Sequence, residues 1–297
     1  MEYLIEFEKK IKKDHIDSVL VQNDNRLIFE YYRNRKMKEK QHKIYSITKS
    51  VLSILVGIAI DKGFIKDTNT SIVDFFPEYN DDANNDITVK HLLTMTSGLH
   101  WPGNNRMLPS KNWVDFVMQQ EKVHPPGKEM VYSCGSSHLL SAILQSTTGI
   151  STEDFANKHL FTPLGITNYK WNKDAQGVNI GGFGLSMKTA DMLRIGSLYL
   201  NMGKWKSKQI VSARWVKEST RPKVKIDDTT SYAYHWWNIA LENQTATFFC
   251  ASGYEGQYII VAPEYKLITV FTSSIKDESS RPLRYFENDL LPYLTKQ

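Results

Sequence analysis

The sequence predicts an α/β fold of the α+β kind: an antiparallel sheet flanked by helices, plus an inserted all-helical domain. Three observations predict it. Strand patterns crowd both ends of the 297-residue chain, helical patterns fill its middle, and the later strands follow one another closely. Short connections between consecutive strands favour antiparallel pairing. The division this implies is one α/β domain from residues 1–62 and 211–297, with 63–210 as a mostly helical insertion.

Each element has a local reason. Leu4, Ile5, Phe7 and Ile11 recur at helical spacing across residues 2–14. "DSVLVQND" and "RLIFEYYRN" read as strands on either side of a turn at Asn23-Asp24-Asn25. A long apolar helix follows from about Ser46 to Lys62, closed by Gly63. "TVKHLLTMTSG" reads as a short helix with a glycine stop, and "SKNWVDFVMQQ" as another. "SSHLLSAILQSTTG" has a serine start and a glycine end, and "KTADMLRIGSLYLNMG" repeats that punctuation. Strands return at "YAYHWWNIAL", "TATFFCAS", "QYIIVAP" and "KLITVFTS", the last two joined by a Pro-Glu-Tyr turn. A final helix starts at Ser280 with Pro282 in its first turn, and Leu283, Phe286 and Leu290 share one face.

Composition narrows the function classes. At 41% hydrophobic and 23% charged the chain is an ordinary globular protein. The net charge of +5 is spread along the chain rather than drawn into a basic stripe with aromatics, which argues against nucleic acid as a partner. Cys134 and Cys250 make neither a disulfide framework nor a metal quartet, and the eight histidines fall singly. No basic and then apolar leader opens the chain, and its longest apolar run, Val51 to Ile60, is too short to span a bilayer. A cytoplasmic protein with no metal, cofactor or membrane partner is expected.

The helix beginning at Ser46 raises a chemical question. Lys49 sits in its first turn, where the helix dipole opposes a cation. Ser46 and Lys49 are three apart and so share a face. A serine hydroxyl becomes a nucleophile when a base takes its proton. A lysine can be that base if desolvation and nearby positive charge lower its pKa, and an apolar helix with a positive N-terminus offers both. The helix alone also fits a bland reading, with Ser46 as an N-cap and Lys49 reaching to water. A second S-x-x-K match, Ser273 to Lys276, leads into a polar loop without helical geometry.

Longer stretches add to this. "YSITKSVLSILVGIAIDKG", "ITVKHLLTMTSGLHW", "GGFGLSMKTADMLRIGSLYLNMGKWKSKQIVSARWV" and "YAYHWW" resemble segments of the serine β-lactamase and penicillin-binding-protein superfamily. Within it the chain is most similar to the class C-like, β-lactamase-related serine hydrolases, the esterase and 6-aminohexanoate-dimer-hydrolase-like branch. The resemblance runs from about residue 17 to 275 and implies a β-lactamase/transpeptidase-like fold.

It also implies roles. In "VYSCGSSHLLSAIL" Tyr132 takes the place of the family's second-motif tyrosine and would act with Lys49 as general base and acid for Ser46, titrating as a coupled unit. Cys134 stands where the family usually has asparagine, and a thiol is a feeble partner for a substrate carbonyl. No histidine pairs with Cys134, so an inert thiol is expected there rather than a nucleophile. "FFCASGYEGQYIIV" places Ala251, Ser252 and Gly253 at the third motif as substrate-binding residues, without that motif's usual lysine. The backbone N–H groups of Ser46 and Tyr254 would form the oxyanion hole. His235 reads as a strand residue beside a cleft, and Trp236, Trp237 and Tyr254 as candidate walls of an apolar acyl pocket.

The resulting expectation is a serine hydrolase acting on a small-molecule ester or amide through a Ser46 acyl-enzyme. One alternative is β-lactamase or D-alanyl-D-alanine peptidase activity. The other is a ligand-binding relative that kept the fold without turnover.

Overall fold

Two residues with positive φ, Asp24 (45°) and Asn25 (64°), close the first hairpin and start the sheet from the N-terminal end of the chain. The computed structural model describes residues 2–79, 84–240 and 247–294. Its main sheet has eight strands: β1 (Ile16–Asn23), β2 (Arg26–Tyr32), β3 (Val224–Lys225), β4 (Thr230–Tyr232), β5 (Trp237–Ala240), β6 (Thr247–Gly253), β7 (Gln257–Ala262) and β8 (Leu267–Ser273). Their order is β2-β1-β8-β7-β6-β5-β4-β3, antiparallel throughout. The N-terminal hairpin therefore docks on the last strand, with Val19 opposite Phe271.

Side chains alternate across this sheet and feed two cores. Phe248, Cys250 and Tyr258 face one side, where they meet helix α1 (Glu2–Ile11) through Phe7 and Ile11, together with Phe286 near the C-terminus. Ile5, expected on the same stripe, faces solvent. Phe249, Ala251 and Ile259 face the other side, against helix α2 (Ile47–Asp61). Every residue of α2 from Ile47 to Ala59 is buried, which accounts for a helix apolar on nearly all faces. It lies between β6 and β7 on one side and helix α3 (Cys134–Thr148) on the other.

Several expectations are corrected by long-range packing. "YAYHWWNIAL" is two strands, not one: β4 and β5 pair through Tyr232 and Trp237, and the chain reverses between them with His235 at φ 62°. The end of that stretch, and Thr245 and Ala246 of "TATFFCAS", lie outside the described residues. The middle of the chain is not purely helical. Tyr169–Trp171 and Leu185–Met187 join His42–Lys43 in a small antiparallel sheet, and Lys204–Trp205 pairs with Lys208–Gln209. Helix α4 (Thr189–Leu200), read with the insertion, packs on β1, β7 and β8, close enough that a Cβ on Gly196 would stand 2.7 Å from Ile268 Cγ2. The helix in "TVKHLLTMTSG" ends at Leu93, before its glycine, and α3 starts at Cys134 on the Ser133 cap rather than at Ser136. Among the described residues no helix is long and apolar enough to cross a membrane.

His42, which holds the strand leading to Ser46, is buried neutral. Burial, helped by the Lys40 ammonium, lowers its pKa from 6.5 to about 4 against the pull of Asp17. Below the ordinary histidine value the unfolded chain binds a proton that the folded chain refuses. Stability is therefore full above pH 6.5 and falls as the pH drops towards about 4. Urea midpoints measured across that window should decline, and His42→Gln should flatten the decline; an equal slope in the variant contradicts this assignment.

Candidate functional site

Ser46 precedes the first turn of α2 and makes no side-chain capping bond. Lys49 is 1% exposed and does not reach water. Its Nζ donates to Ser46 Oγ at 3.1 Å, to the Gly182 carbonyl at 2.7 Å and to Cys134 Sγ at 3.3 Å. It also lies 4.8 Å from the centroid of the Tyr132 ring. The bland reading of a cap and an outward-reaching lysine does not describe this geometry.

The ionisation of Lys49 differs from expectation. Burial pushes the amine down, but attraction and hydrogen bonding to Tyr132 and Cys134 outweigh it, so its pKa is raised above the ordinary lysine value. The expectation of a lowered value counted only the helix; the partners that hold the proton come from elsewhere in the chain. His235 feels the same charge from the other side: burial and the Lys49 ammonium keep its imidazole well below the usual histidine range. It is not a strand residue beside a cleft. It is a buried turn residue whose carbonyl accepts from Ser50 Oγ at 2.6 Å, tying the turn to α2.

A cleft of about 390 Å³ opens over Ser46 and Tyr132. Trp237, Ser252, Gly253 and Tyr254 line it, and it extends to Leu283 in the C-terminal helix Arg281–Tyr285. The Tyr132 ring stacks on Trp237 at 6.2 Å. No described residue lining the cleft carries a charge. Three expected residues are elsewhere. Ala251 is wholly buried against the α2 side of the sheet, because alternation turns it away from the face that Ser252 presents. Trp236 is wholly buried against Tyr199 and Phe249. Cys134, at the start of α3, is buried beside Lys49 rather than on the cleft wall.

The end of β6 lies against the backbone that leads into Ser46. A Cβ on Gly253 would stand 2.4 Å from the Ile44 carbonyl oxygen, so only glycine allows this approach. The N–H groups of Ser46 and Tyr254 donate to no acceptor among the described residues, so both are free to bind a developing negative charge.

Sequence reasoning assigned nothing to Gly182, although the paired glycines of "GGFG" were a signal. Its backbone sits on Cys134, where an added Cβ would be 2.9 Å from the Cys134 Cβ. The loop carrying it is pinned to α3 by the buried His138–Asp174 pair at 2.9 Å and by Ser141 Oγ donating to the Asn179 carbonyl at 2.7 Å. Burial works against the Asp174 carboxylate, but His138 and the N–H groups of Val178 and Gln176 hold its pKa below the usual value.

Comparison with known proteins places the arrangement in context. The family described as Beta-lactamase matches residues 9–291. The 6-aminohexanoate-dimer hydrolase of Paenarthrobacter ureafaciens is 21% identical over 97% of this chain and 80% of that protein. The hydrolase EstCE1, described as having promiscuous acyltransferase activity, superposes with a TM-score of 0.81 at 15% identity, covering 100% of this chain and 98% of that one. A class C beta-lactamase from Rhodobacter sphaeroides superposes at 0.78 and 16% identity, covering 99% of each chain. Those two structures share the β-lactamase/transpeptidase fold with this chain.

Gly182→Ala should lower stability by about 1–3 kcal/mol, the usual cost of overpacking a close contact. Urea unfolding measures it, and an unchanged midpoint would mean that Cys134 yields freely.

Proposed function

Given that the chain belongs to the beta-lactamase family of hydrolases, we propose that it cleaves an ester or small amide through an acyl-enzyme on Ser46. The observation that carries this reading is the buried Lys49 ammonium in hydrogen-bond contact with Ser46 Oγ, beside Tyr132.

The proposed chemistry follows from where the proton rests. The mechanism requires the Lys49–Tyr132 pair to enter the reaction with one proton fewer than both could hold, and the raised Lys49 pKa keeps the remaining proton on the amine. The Tyr132 oxygen then takes the Ser46 proton as Oγ attacks the carbonyl carbon, with Lys49 offsetting the charge that develops. The Ser46 and Tyr254 N–H groups bind the oxyanion. Tyr132 returns the proton to the leaving oxygen or nitrogen. Water, deprotonated by the same oxygen, attacks the acyl-serine, and Tyr132 hands that proton to the departing Ser46 Oγ as the acid is freed.

The cleft lining supports a neutral substrate. Aromatic and aliphatic side chains with a few hydroxyls suit an uncharged acyl or alcohol group. A substrate carboxylate, as in β-lactams and D-alanyl peptides, would meet no cation there, which favours esters and neutral amides.

A fluorophosphonate should label wild type on Ser46, and a short-chain nitrophenyl ester should give a burst that Ser46→Ala abolishes. Absence of both sinks the enzyme reading and favours a binding protein. Lys49→Met, close in volume, should lower kcat by roughly 10²- to 10⁴-fold while leaving the melting temperature near that of wild type, since buried charges are often replaced by apolar groups at little cost. Intact turnover with a large loss of stability would make the lysine structural.

A further inference from the structure

The two N–H groups of the oxyanion hole come from segments more than 200 residues apart, and something must fix their spacing. The residue before Ser46 and the residue after Tyr254 are bonded to each other: Tyr45 Oη donates to Glu255 Oε2 at 2.8 Å. Burial, with Glu255 beside it, pushes the Tyr45 phenol up to about 12, so it keeps its proton and remains a donor. The Tyr45 ring also meets the Tyr254 ring edge-on at 5.6 Å, with an interplanar angle of 89°.

Backbone strain marks the same two residues. Tyr45 has φ 47° and Glu255 has φ 61°, left-handed conformations that cost a side-chain-bearing residue free energy and persist only where surroundings over-determine them. Those surroundings are present at Glu255. Its N–H donates to Ser279 Oγ at 3.0 Å, and its carbonyl accepts from the Ile275 N–H at 3.2 Å, from Gln257 Nε2 at 3.3 Å and from Ser273 Oγ. On the other side, the Tyr45 carbonyl accepts from the Thr48 N–H at 3.0 Å within the start of α2. Each residue of the pair is thus anchored to its own element, and the Tyr45–Glu255 bond links the two.

We infer that Tyr45 and Glu255 are positioning residues that set the oxyanion hole by holding the Ser46 and Tyr254 N–H groups in one orientation. Neither is required to touch substrate. This rests on the acyl-enzyme reading, because without an oxyanion the spacing has no chemical use. A clamp that matters only when charge develops on the carbonyl oxygen acts on the transition state and not on substrate binding. Glutamine at 255 still presents an oxygen to the phenol, whereas alanine does not.

The test uses the full chain with a nitrophenyl ester and a boronic acid that mimics the tetrahedral adduct. Tyr45→Phe and Glu255→Ala should each lower kcat about tenfold, less than the 10²- to 10³-fold that removal of one oxyanion donor costs, with KM within twofold of wild type. The boronic acid should weaken by a similar factor. Glu255→Gln should retain most of the rate, and the double variant Tyr45→Phe/Glu255→Ala should be no slower than either single one. Single variants within twofold of wild type, multiplicative losses in the double variant, or losses confined to KM overturn the inference. So does a large drop in melting temperature that tracks the rate across all three single variants, since the bond would then serve folding alone. Wild type with no Ser46-dependent turnover removes the acyl-enzyme reading and this inference with it; wild-type turnover with insensitive variants removes only the clamp.

Discussion

A buried ammonium is the constraint around which the rest of this structure is arranged. Lys49 is taken out of water almost completely, and an unpaired charge in that position would be too costly to keep. It stays ionised because a serine hydroxyl, a glycine carbonyl and a thiol accept from it while the Tyr132 ring lies alongside. Those partners come from the start of α2, the segment before α3 and the loop at Gly182. The amine therefore joins elements that share no sequence neighbourhood. It also shapes the electrostatics of the site: burial and the ammonium together depress His235, and the same charge lies against Ser46 Oγ.

Packing explains how the site is held in place. The sheet presents β6 end-on to α2, and the absence of a side chain at Gly253 brings two backbones within contact. The loop with Gly182 is fastened to α3 by the wholly buried His138–Asp174 contact and by the Ser141 hydroxyl bonded to the Asn179 carbonyl. Each of these groups is thus carried by a helix end, a strand end or a pinned loop, which fixes its position by packing. The left-handed residues at 45 and 255 are the local strain that this rigidity sustains.

Two residues that depart from the resembling motifs have distinct consequences. Cys134 leaves Lys49 an acceptor, but a weaker one than an amide oxygen would be. Ala251 is wholly buried on the α2 side of the sheet, so this position presents no cation to the cleft.

Local patterns by themselves determined a good deal of this protein. The apolar run after Ser46, the glycine closures of α2 and α3, and the alternation in β6 to β8 follow from helical and strand periods that act over a few residues. The same periodicity put Ser46 and Lys49 on one face. Only tertiary structure decided that the amine stays protonated, that Trp236 is core while Trp237 lines the cleft, that "YAYHWW" folds back into a hairpin, and that Gly182 supplies a carbonyl to the amine. The physical reason is that burial of a charge, strand register and the direction of a side chain are set by groups distant in the chain. No spacing within a single segment records them.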